Sequence, residues 1–423
     1  MKVLIRKIVT EVQLFFLLGF LFVFAMFQGG FVSWFLFYSM LPIILYMMML
    51  PFYPLQNWKI DRQLTNRYLQ AGGKLEINIT IKRKFPFPLF FLIVEEDYPE
   101  SLQYQDIGKK KYQFLSEQTG FERKRLWKKV IHPGFHRNIA ISYPLAHLPR
   151  GKHQLSQVHL KVGDPFGFVE AAYTIDLGQE FYVYPAIQEM KWKYYSLSLE
   201  EGASASHMHD EKLTNVVSGV REYIPGDRFS WIDWKTTARK NTVMTKEFEQ
   251  EKDSSMALIL DVDGLQYQRL LVFEAAIEWT ISILHTIRKK NQNVSFYTLG
   301  KEVKYFSNQQ LQFQFPAVQN YLATVKQEHE VPLAQKIISP IPELTKGSTV
   351  LFVITHLDEV LVDRFVAWKS QDYIVMICYI VAEKDHQLHQ QQLIKSLRLK
   401  NISVQIITEQ QLLREQWEVS PSR

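Results

Sequence analysis

The hydrophobic pattern changes character along the 423 residues, and each change predicts a different kind of structure. Between residues 12 and 58 there is no Asp, Glu, Lys or Arg, and two apolar runs (12–27 and 31–50) are separated only by Gln28-Gly29-Gly30. A helix that crosses a bilayer needs about 17–25 apolar residues, so residues 1–58 predict a transmembrane helical hairpin. Pro42 lies inside the second run, where membrane helices tolerate a kink. A cleaved leader is the competing reading, weakened by Glu11, by the lack of a small-x-small site and by the second run that follows at once.

Residues 59–190 switch to period two. Residues 75–81 alternate apolar and polar side chains as a half-buried strand does, and further strands are predicted at 89–94, 112–115, 125–131, 137–143, 154–161 and 180–184. Turn signals separate them at His132-Pro133-Gly134, Pro149-Arg150-Gly151 and Asp164-Pro165-Phe166-Gly167, which together suggest an antiparallel, sandwich-like domain. Residues 191–241 form a linker and a signature segment. Within residues 187–215, Gly202, Ser204 and Ser206 suggest a mobile connection, and His207 and His209 lack a nearby third metal ligand. Over 242–415 strands alternate with helices. Strands fall at 255–261, 294–299, 350–355, 373–381 and 404–407, and helices at 268–289, 310–325 and 387–397. That alternation predicts an α/β domain with a mostly parallel sheet.

Charge sharpens the picture. The chain carries a formal +6, yet residues 59–163 alone hold 19 Lys and Arg against 9 Asp and Glu. Clusters at Lys82-Arg83-Lys84, Lys109-Lys110-Lys111, Arg123-Lys124-Arg125 and Lys128-Lys129 suit either solvated strand faces or anionic lipid headgroups. Nucleic acid fits less well, because no regular aromatic interleaving accompanies the cations. Lys2, Arg6 and Lys7 precede the first apolar run, and Lys59, Arg62 and Arg67 follow the second. The positive-inside rule therefore places both termini in the cytoplasm, with the body on that side of a cell membrane. The one cysteine, Cys378, excludes an intrachain disulfide framework and reads as a small buried hydrophobe.

The densest chemistry lies at 219–239. Arg221, Arg228, Lys235 and Arg239 mix with Glu222, Asp227 and Asp233 around Tyr223, Trp231, Trp234 and a Pro225-Gly226 turn. Asp227 is expected to cap a short helix, with Phe229 or Trp231, Ile232 and Trp234 facing inward. A structural clasp, a partner-docking surface and a catalytic constellation are all open on these residues. The run Val220-Arg221-Glu222-Tyr223-x-Pro225-Gly226-Asp227, followed by Ile232-Asp233-Trp234-Lys235, Ala238-Arg239 and Lys246-Glu247-Phe248-Glu249, resembles the core of the domain-of-unknown-function 58 family. The resemblance implies two amino-terminal membrane helices, a β-rich segment that includes Arg150-Gly151 and the Asp164–Gly167 turn, and a domain similar to von Willebrand factor type A. It also implies a MoxR-type AAA+ ATPase as a plausible partner. It implies no reaction.

A strand ending in Asp261 brings Asp261 and Asp263 to the carboxyl edge of the sheet, and the strand at 350–355 brings Asp358. Convergent carboxylates favour a hard cation such as Mg²⁺. The von Willebrand metal motif, Asp-x-Ser-x-Ser, is matched by Asp261 but has Asp263 and Leu265 at its serine positions, and 327–332 supplies no convincing Thr. Asp261-Val262-Asp263-Gly264 also resembles the nucleophile motif of haloacid-dehalogenase-type phosphatases, with Thr298, Asp358 and Asp363 as accessory groups. The third reading is structural: Asp263-Gly264 makes a turn and Asp261 pairs with a cation such as Arg239.

The expectation is a membrane-anchored cytoplasmic adaptor that recognises a protein partner through the Arg221–Arg239 residues and the Asp261 edge, without a cofactor or small-molecule substrate. A Mg-dependent phosphatase and a purely structural envelope protein are the alternatives.

Overall fold

A computed structural model describes residues 2–117, 125–192, 217–224, 227, 229–248, 256–262, 270–327, 332–337, 344–386 and 388–420. Helices α1 (Lys2–Gln28) and α2 (Phe31–Met49) turn back on each other at Gly29 and Gly30, whose φ values of 53° and 102° only glycine adopts without strain. Two amino-terminal segments, Val9–Gln28 and Phe31–Phe52, are long and apolar enough to cross a membrane, and phenylalanines such as Phe15, Phe16 and Phe35 are exposed along them. Pro42 sits inside α2 without ending it.

The β body follows. Its strands are β1 (Lys59–Leu64), β2 (Tyr68–Gln70), β3 (Lys74–Lys82), β4 (Phe91–Asp97), β5 (Leu126–Ile131), β6 (Asn138–Ala146), β7 (Gly151–Gly163) and β8 (Glu170–Tyr184). They pair as β1-β3-β6 and β2-β8-β7-β4-β5. In β3, Leu75, Ile77, Ile79 and Ile81 are buried while Lys74, Glu76, Asn78 and Lys82 are exposed, so period two sets which face meets the core. Both sheets share one apolar cluster with Trp58, Leu92, Val158 and Phe181. The strand expected at 112–115 is instead part of a 3₁₀ turn, Gly108–Phe114. Tertiary contact overrides strand propensity there, because Lys111 and Tyr112 both reach Glu278.

The rest of the chain adds β9 (Met190–Trp192), β10 (Val217–Glu222), α3 (Trp234–Lys240), β11 (Met244–Phe248), β12 (Met256–Asp261), α4 (Leu270–Lys289), β13 (Val294–Leu299) and β14 (Val303–Phe306). Then come α5 (Asn308–Phe313), α6 (Phe315–Thr324), α7 (Leu333–Lys336), β15 (Thr349–Ile354), α8 (Glu359–Ser370), β16 (Ile374–Ile380), α9 (Leu388–Leu399), β17 (Ser403–Ile407), α10 (Glu409–Leu412) and β18 (Trp417–Val419). One sheet runs β14-β13-β12-β15-β16-β17, parallel except for β14. Every position of β12 and β15 is buried, as a parallel strand covered on both faces requires. The helix expected over 310–325 is two helices, broken at Gln314, where Pro316 removes an N–H that a continuous helix would need. Helix α4 is also long and apolar enough to cross a membrane, but most of it is buried in the body. Cys378 is buried in β16, and burial pushes its thiol up to about 12.

The two bodies meet across a polar seam. Lys111 Nζ lies 2.5 Å from both Asp106 and Glu278, and the Tyr112 hydroxyl donates to Glu278 at 2.6 Å. Arg150 forks onto Glu274 at 2.7 and 2.9 Å and donates to the carbonyls of Leu322 and Val325 at 2.6 and 2.8 Å. Lys109 donates to the carbonyls of Arg414 and Glu415, and β18 closes the contact by pairing with β9.

Next to Arg150, Gly151 has φ 152°, and a Cβ there would lie 3.1 Å from the His153 ring. His153 is buried between Ser101 and the Pro149 carbonyl, and burial lowers its pKa from 6.5 to about 4. Because the folded value is depressed, the stabilisation from a neutral ring is complete above pH 6.5 and is lost as pH falls towards 4. That window corresponds to on the order of 3 kcal/mol. The melting temperature of the detergent-solubilised chain should therefore fall more steeply over pH 6.5–4 than that of His153→Gln; equal slopes would refute this.

Candidate functional site

The two halves of the signature fold onto each other. Strands β10 and β11 pair antiparallel with Val220 opposite Lys246, Arg221 opposite Thr245 and Glu222 opposite Met244. Between them the chain makes a short 3₁₀ turn (Phe229–Trp231) and helix α3. The Tyr223 N–H donates to the Val243 carbonyl, the Asp233 N–H to the Met244 carbonyl, and the Met244 N–H to the Thr237 hydroxyl, at 2.9–3.0 Å. Ile232 is buried against this framework.

The carboxylates have different tasks from those expected. Asp227 does not cap the helix. It receives both guanidinium nitrogens of Arg221 at 2.7 and 2.8 Å and the Ile224 N–H at 3.0 Å. The Arg221 hydrogen bonds hold its carboxyl below the ordinary aspartate range. The cap of α3 is Asp233, which accepts the Thr236 N–H at 3.0 Å and is likewise held low by that bond. Helix α3 ends at Asn241 in the left-handed region (φ 56°), with Arg239 and Lys240 in its last turn, where the helix dipole favours cations.

The aromatic residues are a second correction. Of the positions expected to face inward, Ile232 is buried and Trp231 is half-buried, but Trp234 is 68% exposed; Phe229, the alternative to Trp231, is 76% exposed, and Ile224 and Val243 are exposed too. Glu222, Lys235 and Arg239 are exposed as well, while Tyr223 is half-buried. Pro225, Gly226 and Arg228 lie outside the described residues, as do His207 and His209. A hydrogen-bonded framework thus holds the large side chains of Phe229 and Trp234 in solvent.

The carboxylate edge lies at the carboxyl ends of β12 and β15, adjacent parallel strands from which the sheet extends in opposite directions. Asp261 and Thr355 are buried there. Asp358 caps α8, accepting the Leu361 N–H at 2.7 Å, and lies 3.6 Å from His356. Asp263 is outside the described residues. Among the described residues no three His, Cys, Asp or Glu side chains converge to hold a metal. Asp358 Oδ1 is engaged in the cap, and no metal chemistry is derived from these residues. Thr298, opposite Leu260 near the end of β13, is fully buried with its hydroxyl bonded to that of Tyr321, and Asp363 is exposed on α8.

Residues 219–418 match the family model described as "Protein of unknown function DUF58". The "Uncharacterized protein YeaD" of Bacillus subtilis is 34% identical over 314 residues, which cover 74% of each chain. The chain belongs to the DUF58 family. Among solved structures, the Clostridium perfringens cohesin module of a family 33 glycoside hydrolase is 12% identical, with a TM-score of 0.19 over 29% of this chain and 96% of that one. Cwp6 from Clostridium difficile is 10% identical, with a TM-score of 0.18 over 85% and 53%. Neither score carries a fold argument.

Sequence reasoning missed the seam of this DUF58 protein. Its signal was present: Glu274 and Glu278 stand four residues apart in an otherwise apolar helix, so they share one face and need cations. The basic clusters, expected on solvated strand faces or against lipid headgroups, divide between different tasks. Lys111 is buried in the seam, Arg83 is buried on backbone carbonyls, and Arg125 donates to the Ala146 and His147 carbonyls.

Proposed function

We propose that this DUF58 chain is a membrane-anchored interaction protein, with α1 and α2 as its two spans and both termini in the cytoplasm. The observation that carries the reading is the pair Phe229 and Trp234, held exposed on a hydrogen-bonded hairpin and helix. Lys235 and Arg239 beside them add charge for orientation. The family resemblance supplies the partner: a MoxR-type AAA+ ATPase. The α/β body, built on the six-stranded sheet, is read as von Willebrand factor type A-like. Counted in chain order, its strands run third, second, first, fourth, fifth, sixth, with the antiparallel third strand at the edge. The β body is read as a sandwich because its two sheets share one core.

The test is a titration of the chain, reconstituted in nanodiscs, with a purified MoxR-type ATPase. Trp234→Ala should weaken binding about tenfold or more, the scale of an aromatic hot spot. Asp233→Ala should weaken it less, by loosening the α3 cap at a cost of about 1 kcal/mol. Unchanged affinity in variants that remain folded would leave the segment as an internal clasp.

A ligand at the Asp261 edge is a second reading, favoured by its buried carboxylate at the point where the strand order reverses. It requires Mg²⁺ retention, or phosphate release from an aryl phosphate, that Asp261→Asn abolishes.

A further inference from the structure

The strand register of the β body sorts its loops into two ends. Lys59 pairs with Lys82, Lys82 with Asn138, Leu92 with Ile131, Phe91 with Gly163, and Gly163 with Glu170. The loops 83–90, 132–137 and 164–169 therefore lie at the end where the chain arrives from α2. The opposite end carries Asp106, Lys111 and Arg150, the residues of the seam.

The arrival end has a distinct surface. Phe85, Phe90, Phe135, Phe166 and Phe168 are 52–68% exposed, and Phe52 stands exposed where α2 ends. Among the described residues, every exposed phenylalanine of the β body is in this set; the others are partly or wholly buried.

These side chains are held outward by a polar scaffold. Buried Arg83 donates to the carbonyls of Phe87, Gly134 and His136, tying two of the loops together. Buried Asp164 accepts the N–H groups of Phe166 and Val169 and fixes the third. The same end is continuous with the helical hairpin, since Tyr46 of α2 rings against Phe87 and Phe90 at 5.4 and 5.3 Å. Beside it, a mostly apolar groove of about 510 Å³ is lined by Leu45, Met48, Met49, Phe52 and Phe87, with Glu11 of α1 as its one carboxylate. Lys59, Lys82, Lys84 and Arg137 are exposed around the aromatic tips.

We infer that this end of the β body is seated in the lipid bilayer interface, with its loop phenylalanines inserted below the headgroups and an acyl chain in the groove. Large apolar side chains rimmed by cations, adjoining a membrane span, match the chemistry of that boundary and of no aqueous one. The inference rests on the membrane-anchored reading but goes beyond it, because a hairpin alone would let the body hang free on its connection.

Single-cysteine labelling tests it. Cys378 is buried, so the wild-type chain provides the labelling background. A fluorophore is attached to Phe85→Cys, Phe135→Cys and Phe166→Cys in liposomes, with Phe20→Cys on α1 and Leu399→Cys on α9 as references. The three loop labels should be quenched by nitroxide-bearing lipids as Phe20→Cys is, and be protected from aqueous iodide several-fold relative to Leu399→Cys. If Phe20→Cys is lipid-quenched while the loop labels behave like Leu399→Cys, the inference is overturned and the anchor stands. Loop labels shielded from both quenchers overturn it too, and identify a protein cover instead. Failure of Phe20→Cys itself to reach lipid removes both readings.

Discussion

Lys111→Met is expected to destabilise the chain by roughly 3–5 kcal/mol, the usual consequence of removing one partner from a buried ion pair. The ammonium is 1% exposed and lies between Asp106 and Glu278, so its loss leaves two carboxylates facing each other without water. Burial alone would lower the pKa of Lys111, but Glu278 and Asp106 outweigh it and hold the pKa above the ordinary lysine range. Its stabilisation is thus present below pH 10.5, while Glu278, whose own pKa burial raises, stays ionised, and it fades as pH rises through the folded lysine value. Glu278→Gln should restore part of the loss in the Lys111→Met background, because fewer unpaired charges remain. Thermal melting in detergent reads the effect, and a Lys111→Met variant that melts with the wild type would refute it.

Arg150→Ala should have an effect of similar size, roughly 3–5 kcal/mol, by a different route. The guanidinium neutralises Glu274 through a two-point fork and also satisfies carbonyls at the end of α6, groups that a helix leaves without intrahelical donors. Arg150→Lys should rescue little, since an ammonium cannot hold the fork and both carbonyls together. Because Arg150 joins the bodies, the variant should also be cleaved at the seam under limited proteolysis before the sheets unfold. A variant melting normally and resisting protease would place the seam's strength elsewhere.

What could be read from the residues depended on whether a local pattern decided the structure. The uncharged stretch at 12–58 determined the helical hairpin, and the alternation at 75–81 determined β3. The buried runs of β12 and β15 and the intervening amphipathic segments were equally legible. The short strands β9 and β18 were not, because each has three residues and forms only when the chain ends meet. The 3₁₀ turn at Gly108–Phe114 was misread because Lys111 and Tyr112 answer to Glu278, 167 and 166 residues away in sequence. At residues 219–239 a short capped helix was legible, but its cap was assigned to Asp227. Asp233 caps α3 and Asp227 grips Arg221, so α3 begins at Trp234, after the short 3₁₀ turn. Nothing in composition showed that Trp234 and Phe229 would point outward.

The two-ended layout of the β body has a mechanical corollary. Strand β7, thirteen residues at about 3.3 Å each, holds the α/β portion on the order of 40 Å beyond the point where the chain leaves α2. Under the proposed anchoring, that distance leaves room for a bulky water-soluble assembly to approach from the side, with no need to skim the headgroups. Shortening that pillar would lower the platform without touching Phe229 or Trp234.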